Sequence, residues 1–514
     1  MKRFDKRESG QIAAPLHRAA RKVQKGNYLS FHVPLHGRGP GAPHLLWAGL
    51  GPSMLWDFTE VPPLDDLHRP TGAIHHAQCL AAQLFGAGKT YFLVNGATVG
   101  LLAFFLALTQ PGDKVLLSRL SHKAALHGIA LSGAKPVYLP VEKDPTTGMP
   151  LNVTPGTVNQ ALKEHPDAQM LLVTSPSYWG VTADLHAIRK ITEKRGVFFA
   201  VDEAHGAHLP LCKGKIPHAA GAGADLWIHS AHKSLGALTP GAYLHLAEHV
   251  PSREISFWLQ VLQTSSPPYP VMVSLDLARR QAALQGRTLF HKTKQWALRF
   301  RRTLKQVSVP VFSPSLQGGE HFFLDPCRLM IFCPKGQGRR LGYQLSRKYR
   351  ILVEMVEDAF ILMVVGPSAL SFVPESLARA VGRAFEDAEK CALPFGSNNR
   401  ENVRAVFPFL HHHESLVQRN NRAWKAAYPF AMPPSDALKA EHQTCALEAS
   451  AGKISGEMVV QSPPGIPILA PGEIIRSRIV DYLLSKRHGG HVFHGAGDPE
   501  LKQIKVVTEV NNIC

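Results

Sequence analysis

The chain reads as an α/β protein: a mostly parallel sheet covered by helices on both faces, with a smaller α+β domain after it. Two observations predict this. From about residue 75 to residue 250, short β-rich apolar runs alternate with helical stretches, as expected when parallel strands are joined by helical crossovers. The residues able to do chemistry gather just after three of those runs, where open parallel sheets bind their ligands. At 514 residues the chain exceeds what one hydrophobic core supports, so two or three domains are expected.

Residues 1–45, rich in Gly, Pro and His, form an N-terminal arm with a short helix from Leu16 to Val23. The large domain, 46–300, opens its alternation with an amphipathic helix, His76 to Phe85, and a strand, Tyr91 to Val94. An apolar helix from Val99 to Leu108 is stopped by Pro111-Gly112. Further strands run from Lys114 to Leu117, Pro136 to Leu139, Met170 to Thr174, Val197 to Val201 and Leu226 to His229, with a helix from Leu185 to Lys194 among them. A long helix, Leu275 to Leu304, connects to a small α+β domain, 301–395, with strands at Leu329 to Phe332 and Ile361 to Val365. Residues 396–434 are polar and irregular, an insertion or linker, and 435–514 form a C-terminal domain.

Composition excludes several classes. Hydrophobic residues at 45% and charged residues at 19% describe an ordinary globular protein, and no apolar run is long enough to cross a bilayer. Met1 to Gly26 is basic but lacks an apolar signal core, so secretion is not expected, although an organelle transit segment stays open. The seven cysteines are dispersed without a CxxC pair and read as reduced thiols of a cytoplasmic protein. The formal charge of +18 is spread along the chain with no dense basic block, so no nucleic-acid partner is expected.

Three segments carry the chemistry. Asn95-Gly-Ala-Thr-Val-Gly100 lies between a strand and a helix, where unpaired N–H groups and the helix dipole hold a phosphate. Ala200-Val-Asp-Glu-Ala-His-Gly206 sets an acid at the end of a buried strand, as a ligand partner or as a cap of the next helix. Ile228-His-Ser-Ala-His-Lys-Ser234 sets a lysine after another strand, as a Schiff-base nucleophile or as a surface lysine. Together, a phosphate cradle, Asp202 and Lys233, 31 residues later, meet the needs of pyridoxal phosphate. The lysine binds its aldehyde, the acid keeps its ring nitrogen protonated, and the helix end anchors its phosphate.

At these residues the chain resembles fold-type I pyridoxal-phosphate enzymes, and among them the shorter form of the ornithine/lysine/arginine decarboxylase family. Phe31-His-Val-Pro-Leu-His-Gly-Arg-Gly39, Leu64-Asp-Asp-Leu-His68, Phe92-Leu-Val-Asn-Gly96 and Ser121-His-Lys-Ala124 follow the order of that family's motifs. So do Pro176-Ser-Tyr-Trp-Gly-Val181, Asp202-Glu-Ala-His-Gly-Ala-His208, Thr264-Ser-Ser-Pro-Pro-Tyr269, Pro463-Pro-Gly-Ile-Pro467 and Pro471-Gly-Glu473. The resemblance implies a seven-stranded large domain and a homodimer with a shared active site, without the assembly of the family's longer members. It implies decarboxylation of a basic amino acid, arginine or lysine ahead of ornithine, as in polyamine biosynthesis. Lys233 would bind the cofactor, Asp202 would face its ring nitrogen, and His122 and Ala204 would cover the two ring faces. Gly96, Ala97, Thr98, Ser230 and His232 would hold the phosphate region, with His205 alongside and Ser265 reaching the neighbouring subunit's phosphate. His232 or Lys233 would return the proton, and Glu354 would meet the substrate cation.

The chain departs from the family pattern at Leu35, Gly37, Ala97, Leu120, Ala124 and Ser462. Two alternatives therefore stand beside decarboxylation: another pyridoxal-phosphate reaction, or a relative that binds and regulates. Gly86-Ala-Gly-Lys-Thr90 ends like a nucleotide-binding loop but precedes its strand and lacks the first glycine. His411-His-His-Glu414 places consecutive residues that cannot all face one ion. No metal is expected there, and Asp202, His205 and His208 are better explained by the lysine motif.

Overall fold

The computed structural model describes residues 10–508 apart from 27, 63, 213, 215, 315–320, 334–336, 391–429 and 490. Most of the expected linker, with His411-His-His-Glu414, lies outside the described residues.

Eight strands come first: β1 (Lys89–Leu93), β2 (Lys114–Ser118), β3 (Lys135–Leu139), β4 (Ala168–Thr174), β5 (Val181–Ala183), β6 (Phe198–Asp202), β7 (Leu226–His229) and β8 (Ala242–Leu246). Seven of them form one sheet in the order β1-β8-β7-β6-β4-β2-β3. β2 runs parallel to β3 and β4, and β6 parallel to β7. β8 is antiparallel to both neighbours. β7 and β8 are buried along their whole length, as strands covered on both faces must be.

The chain divides into two compact units, residues 1–108 with 199–290, and residues 109–198 with 291–514. In the first unit, helix Pro15–Lys25 buries Leu16, Ala20 and Val23 on one face. Its opening N–H groups, on Leu16 and His17, donate to the buried Asp276 carboxylate, which supplies the partners a helix start lacks. Helix Ala73–Phe85 and the start of helix Tyr269–Gln306 pack into the same core, around Ile74, Phe85, Phe92, Tyr243 and Met272.

In the second unit, β9 (Phe322–Leu324) pairs with β5, and β10 (Arg328–Phe332), β11 (Met355–Val356) and β12 (Phe360–Val364) form an antiparallel sheet. Helices Gly338–Arg347 and Pro374–Lys390 bury Leu341, Leu345, Val381 and Phe385 in one core with Leu329 and Ile361. The C-terminal part contributes β13 (His442–Ala446), β14 (Val459–Gln461), β15 (Ile466–Leu469), helix Ser477–His488 and β16 (Gln503–Val507). No helix among the described residues is long and apolar enough to cross a membrane.

The seven-stranded, mostly parallel sheet matches the fold class expected from sequence. β8 was not among the strands read from the residues. The helix read from Leu275 begins at Tyr269, because Pro270 stands in its first turn, where proline's missing N–H costs nothing.

Candidate active site

The first unit brings most of the predicted site residues to the carboxyl ends of adjacent strands. Asp202 ends β6, is 4% exposed, and accepts a hydrogen bond from the Ala204 N–H at 3.2 Å. Burial pushes its carboxyl up, while the Ala204 bond and the Lys233 charge pull it down. Ala204 and His205 are buried beside it. Ser230 follows β7 and is buried; Lys233 follows on a single helical turn, Ala231–Ser234, and is exposed. Its Nζ lies 3.3 Å from His205 Nε2.

His232 is committed at one ring nitrogen. Nδ1 donates to the Gly241 carbonyl at 3.1 Å, and the His232 backbone N–H donates to the same oxygen. A carbonyl only accepts, so Nδ1 carries the proton of the neutral ring. Burial and then the Lys233 charge disfavour a second proton, with the Gly241 bond opposing them.

Helix Gly96–Leu108 starts shortly after β1 ends at Leu93, with Gly96 at φ +82°, a conformation that favours glycine. Its first N–H groups have no intrahelical partner. A side chain at Gly96 would touch Pro240, so the loop that holds His232 also borders this helix start. Ala97 is half-buried and Thr98 exposed. Gln263 accepts from the Val94 N–H at 2.9 Å and Asn95 accepts from the Thr264 N–H at 3.2 Å. Ser265 is exposed, one residue further on.

Thr90 settles the nucleotide-loop resemblance. Its hydroxyl is buried in β1, 2.8 Å from His245 Nδ1, and is not part of a phosphate turn.

The second unit holds the remaining two. His122 caps helix Lys123–Ser132, its Nδ1 accepting from the Ala124 N–H at 3.2 Å, so Nε2 carries the proton of the neutral ring. The turn Pro463 to Pro467 lies against that ring: a methyl group on Gly465 would fall 2.7 Å from Nε2, and the Lys123 N–H donates to the Gly465 carbonyl at 2.9 Å. Buried Arg119 fixes the same turn by donating to the Pro467 and Ile468 carbonyls. Glu354 is exposed, one oxygen accepting from the buried Tyr178 hydroxyl at 2.7 Å. Leu120 and Ala124, two of the departures, are core residues.

A family model for the Orn/Lys/Arg decarboxylase major domain matches residues 14–344, and one for the C-terminal domain matches residues 417–505. Arginine decarboxylase of Bacillus subtilis is 32% identical over 97% of this chain and 99% of its own length. The chain belongs to the Orn/Lys/Arg decarboxylase family.

Inducible lysine decarboxylase of Escherichia coli is 23% identical, over 90% of this chain and 75% of its own. The solved lysine decarboxylase of Francisella novicida superposes with a TM-score of 0.81 at 19% identity, covering 97% of this chain and 81% of that one. This decarboxylase therefore has the fold-type I architecture, uses pyridoxal phosphate and acts on a basic amino acid. The residues of the first unit fit that cofactor: an exposed lysine after one strand, a buried carboxylate at the end of the neighbouring strand, and a helix start whose first N–H groups have no intrahelical partner.

Sequence reasoning missed two features of this decarboxylase. Glu203 and His229 form a fully buried pair at 2.7 Å, signalled only by polar residues within apolar surroundings. The Tyr178 contact to Glu354 joins segments far apart in the chain and left no local signal.

Proposed function

We propose that the substrate is arginine, with Lys233 binding pyridoxal phosphate and Asp202 facing its ring nitrogen. The supporting observation is the exposed residue Lys233 one strand from the buried Asp202 carboxylate. Arginine is favoured over lysine because relatives named for arginine keep 30–32% identity over at least 90% of this chain, against 22–23% for those named for lysine. Ornithine ranks third, and a part in making polyamines follows from the choice of substrate. The cofactor, when bound, supplies an electron sink for the pair released at the substrate Cα.

The chain's own residues then divide the work. Asp202, kept from water, holds a proton at the ring nitrogen. Ala97, Thr98, Ser230 and the helix start at Gly96 bind the phosphate, and Ala204 covers one ring face. His122 takes the other face on the strength of the family resemblance. Neutral His232 has its proton at Nδ1, bound to Gly241, so its Nε2 has none to give, and Lys233 Nζ returns the proton to the substrate carbon. Glu354, oriented by Tyr178, meets the substrate cation. The active enzyme is a cytoplasmic homodimer in which Ser265 reaches the partner's phosphate. The arm supports a dimer: Phe31 is 94% and Leu35 90% exposed, and helix His44–Leu50 has no buried residue. Large apolar side chains left this exposed suit an interaction site.

The test is the visible spectrum with pyridoxal phosphate beside Lys233→Ala, then amine detection with arginine, lysine and ornithine. The expected outcome is a cofactor band lost in the variant, with agmatine as the main product. Cadaverine or putrescine as the main product would reassign the substrate.

A further inference from the structure

Glu203 stands next to Asp202 and takes no part in the assignment above. Its carboxylate is fully buried, one oxygen accepting from the Ala219 N–H at 2.9 Å and the other 2.7 Å from His229 Nε2. His229 Nδ1 lies 3.1 Å from His245 Nε2, and His245 Nδ1 lies 2.8 Å from the Thr90 hydroxyl. Both rings are fully buried, against Phe85 and, for His245, Trp227 and Tyr243. The chain of bonds thus crosses β6, β7, β8 and β1, with Thr90 directly opposite His245 in register.

A neutral imidazole bonded at both nitrogens donates at one and accepts at the other, so the whole chain points one way. Thr90 serves either direction. Glu203 does not: ionised it only accepts, protonated it donates. The end of the chain is also where the site begins. The Ser230 N–H donates to the Ala204 carbonyl at 3.3 Å, and the Ala204 N–H donates to Asp202.

We propose that Glu203 is a positioning residue: through His229 it locks the ends of β6 and β7 that place Asp202 and Lys233, and its proton sets the direction of the chain. This rests on the assignment of Asp202 and Lys233 to the cofactor. The charged and titratable groups facing Glu203 are few. Burial pushes its carboxyl up to about 8, His218, the Ala219 N–H and His208 pull it down, and Asp202 pushes it up. Burial, then the His208 charge, holds His229 down at about 3, and burial, then His229, holds His245 well below its usual value. The rings therefore stay neutral while Glu203 titrates.

The test is nitrogen NMR of 15N-histidine-labelled holoenzyme between about pH 6 and pH 10, wild type beside Glu203→Gln, with pyridoxal phosphate affinity read from absorbance. Glutamine offers the same donor and acceptor as the protonated acid. In the wild type, His229 and His245 should carry their protons on Nδ1 at the acid end and on Nε2 at the alkaline end. In Glu203→Gln both should stay on Nδ1, and the part of the cofactor affinity that varies near pH 8 should vanish. Wild-type tautomers that do not change with pH would overturn the proposal, even if the variant fails to fold. So would a pH dependence of affinity that survives Glu203→Gln, as a merely structural role predicts. A Lys233→Ala protein with an unaltered cofactor band would instead sink the cofactor assignment, leaving the tautomer result standing.

Discussion

Glu203 in the first unit and Glu357 in the second are both buried carboxylates, at 0% and 3% exposure, yet they are pushed in opposite directions. Glu203 bonds to the neutral His229 ring and to a backbone N–H, and burial, outweighing His218 and His208, raises it to about 8. Glu357 is raised by burial too, but His491 and Lys486 more than offset this and hold it below its usual range. Lys486 Nζ is 3.1 Å away and itself 3% exposed, and Gln461 also donates to this carboxylate. Burial alone therefore does not set the charge of an interior acid; the sign of its partner does. The first arrangement leaves a proton free to come and go beside the proposed active site. The second fixes charge and ties the 357 loop to the base of the turn that meets His122.

Breaking the second arrangement should give the largest effect. Lys486→Met leaves Glu357 buried with His491 as its remaining basic partner, and removal of one partner from a buried pair costs about 3–5 kcal/mol. Denaturant unfolding should show that loss, and adding Glu357→Leu should recover most of it, because an apolar pair of similar volume is tolerated where a lone charge is not. If Lys486→Met is neutral, the pair is not what holds this part of the second unit together.

A smaller loss is expected one step along the same turn. Gly465 sits at φ +78° with the His122 ring 2.7 Å from where a methyl would be. Gly465→Ala combines backbone strain with overpacking, each about 1–2 kcal/mol. It should also weaken pyridoxal phosphate binding, provided His122 covers the ring. In a His122→Ala background the effect of Gly465→Ala on cofactor affinity should largely disappear. Additive effects would show that the turn acts on stability alone.

The difference between the regions also explains what the sequence disclosed. The strand–helix alternation and the Asp202 and Lys233 segments are local patterns, each written within a few consecutive residues, and they were legible. β8 was not: Ala242–Leu246 follows Pro240-Gly241 and contains His245, so it reads as the tail of a loop. Its place depends on lying between β1 and β7, a pairing visible only in space. The same holds for the polar chain, where Thr90 and His245 are 155 positions apart, and for Glu357, which meets Lys486 across 129. Residues whose roles arise from strand register or from contacts between distant segments leave no periodic trace.

The smallest expected effect on stability separates the two carboxylates by pH. Glu203 is raised in the folded protein, so the fold holds a proton that the unfolded chain releases. Its contribution is complete below the ordinary value of 4.5 and is lost as pH rises through about 8. Glu357 is lowered, so its contribution is present above 4.5 and is lost as the solution is acidified. Glu203→Gln keeps the shape and the hydrogen-bonding pattern of the protonated acid, and should change stability by about 1 kcal/mol or less near pH 4, where the acid is largely protonated in the folded and the unfolded chain alike. Between about pH 4.5 and pH 8 the wild type should lose stability relative to Glu203→Gln, because its folded form keeps a proton that the unfolded chain has released. Unfolding curves for the two proteins at several pH values decide it. Parallel stability profiles would mean that Glu203 titrates in the folded protein as it does in the unfolded chain, and the contrast with Glu357 would then reduce to their hydrogen-bond partners.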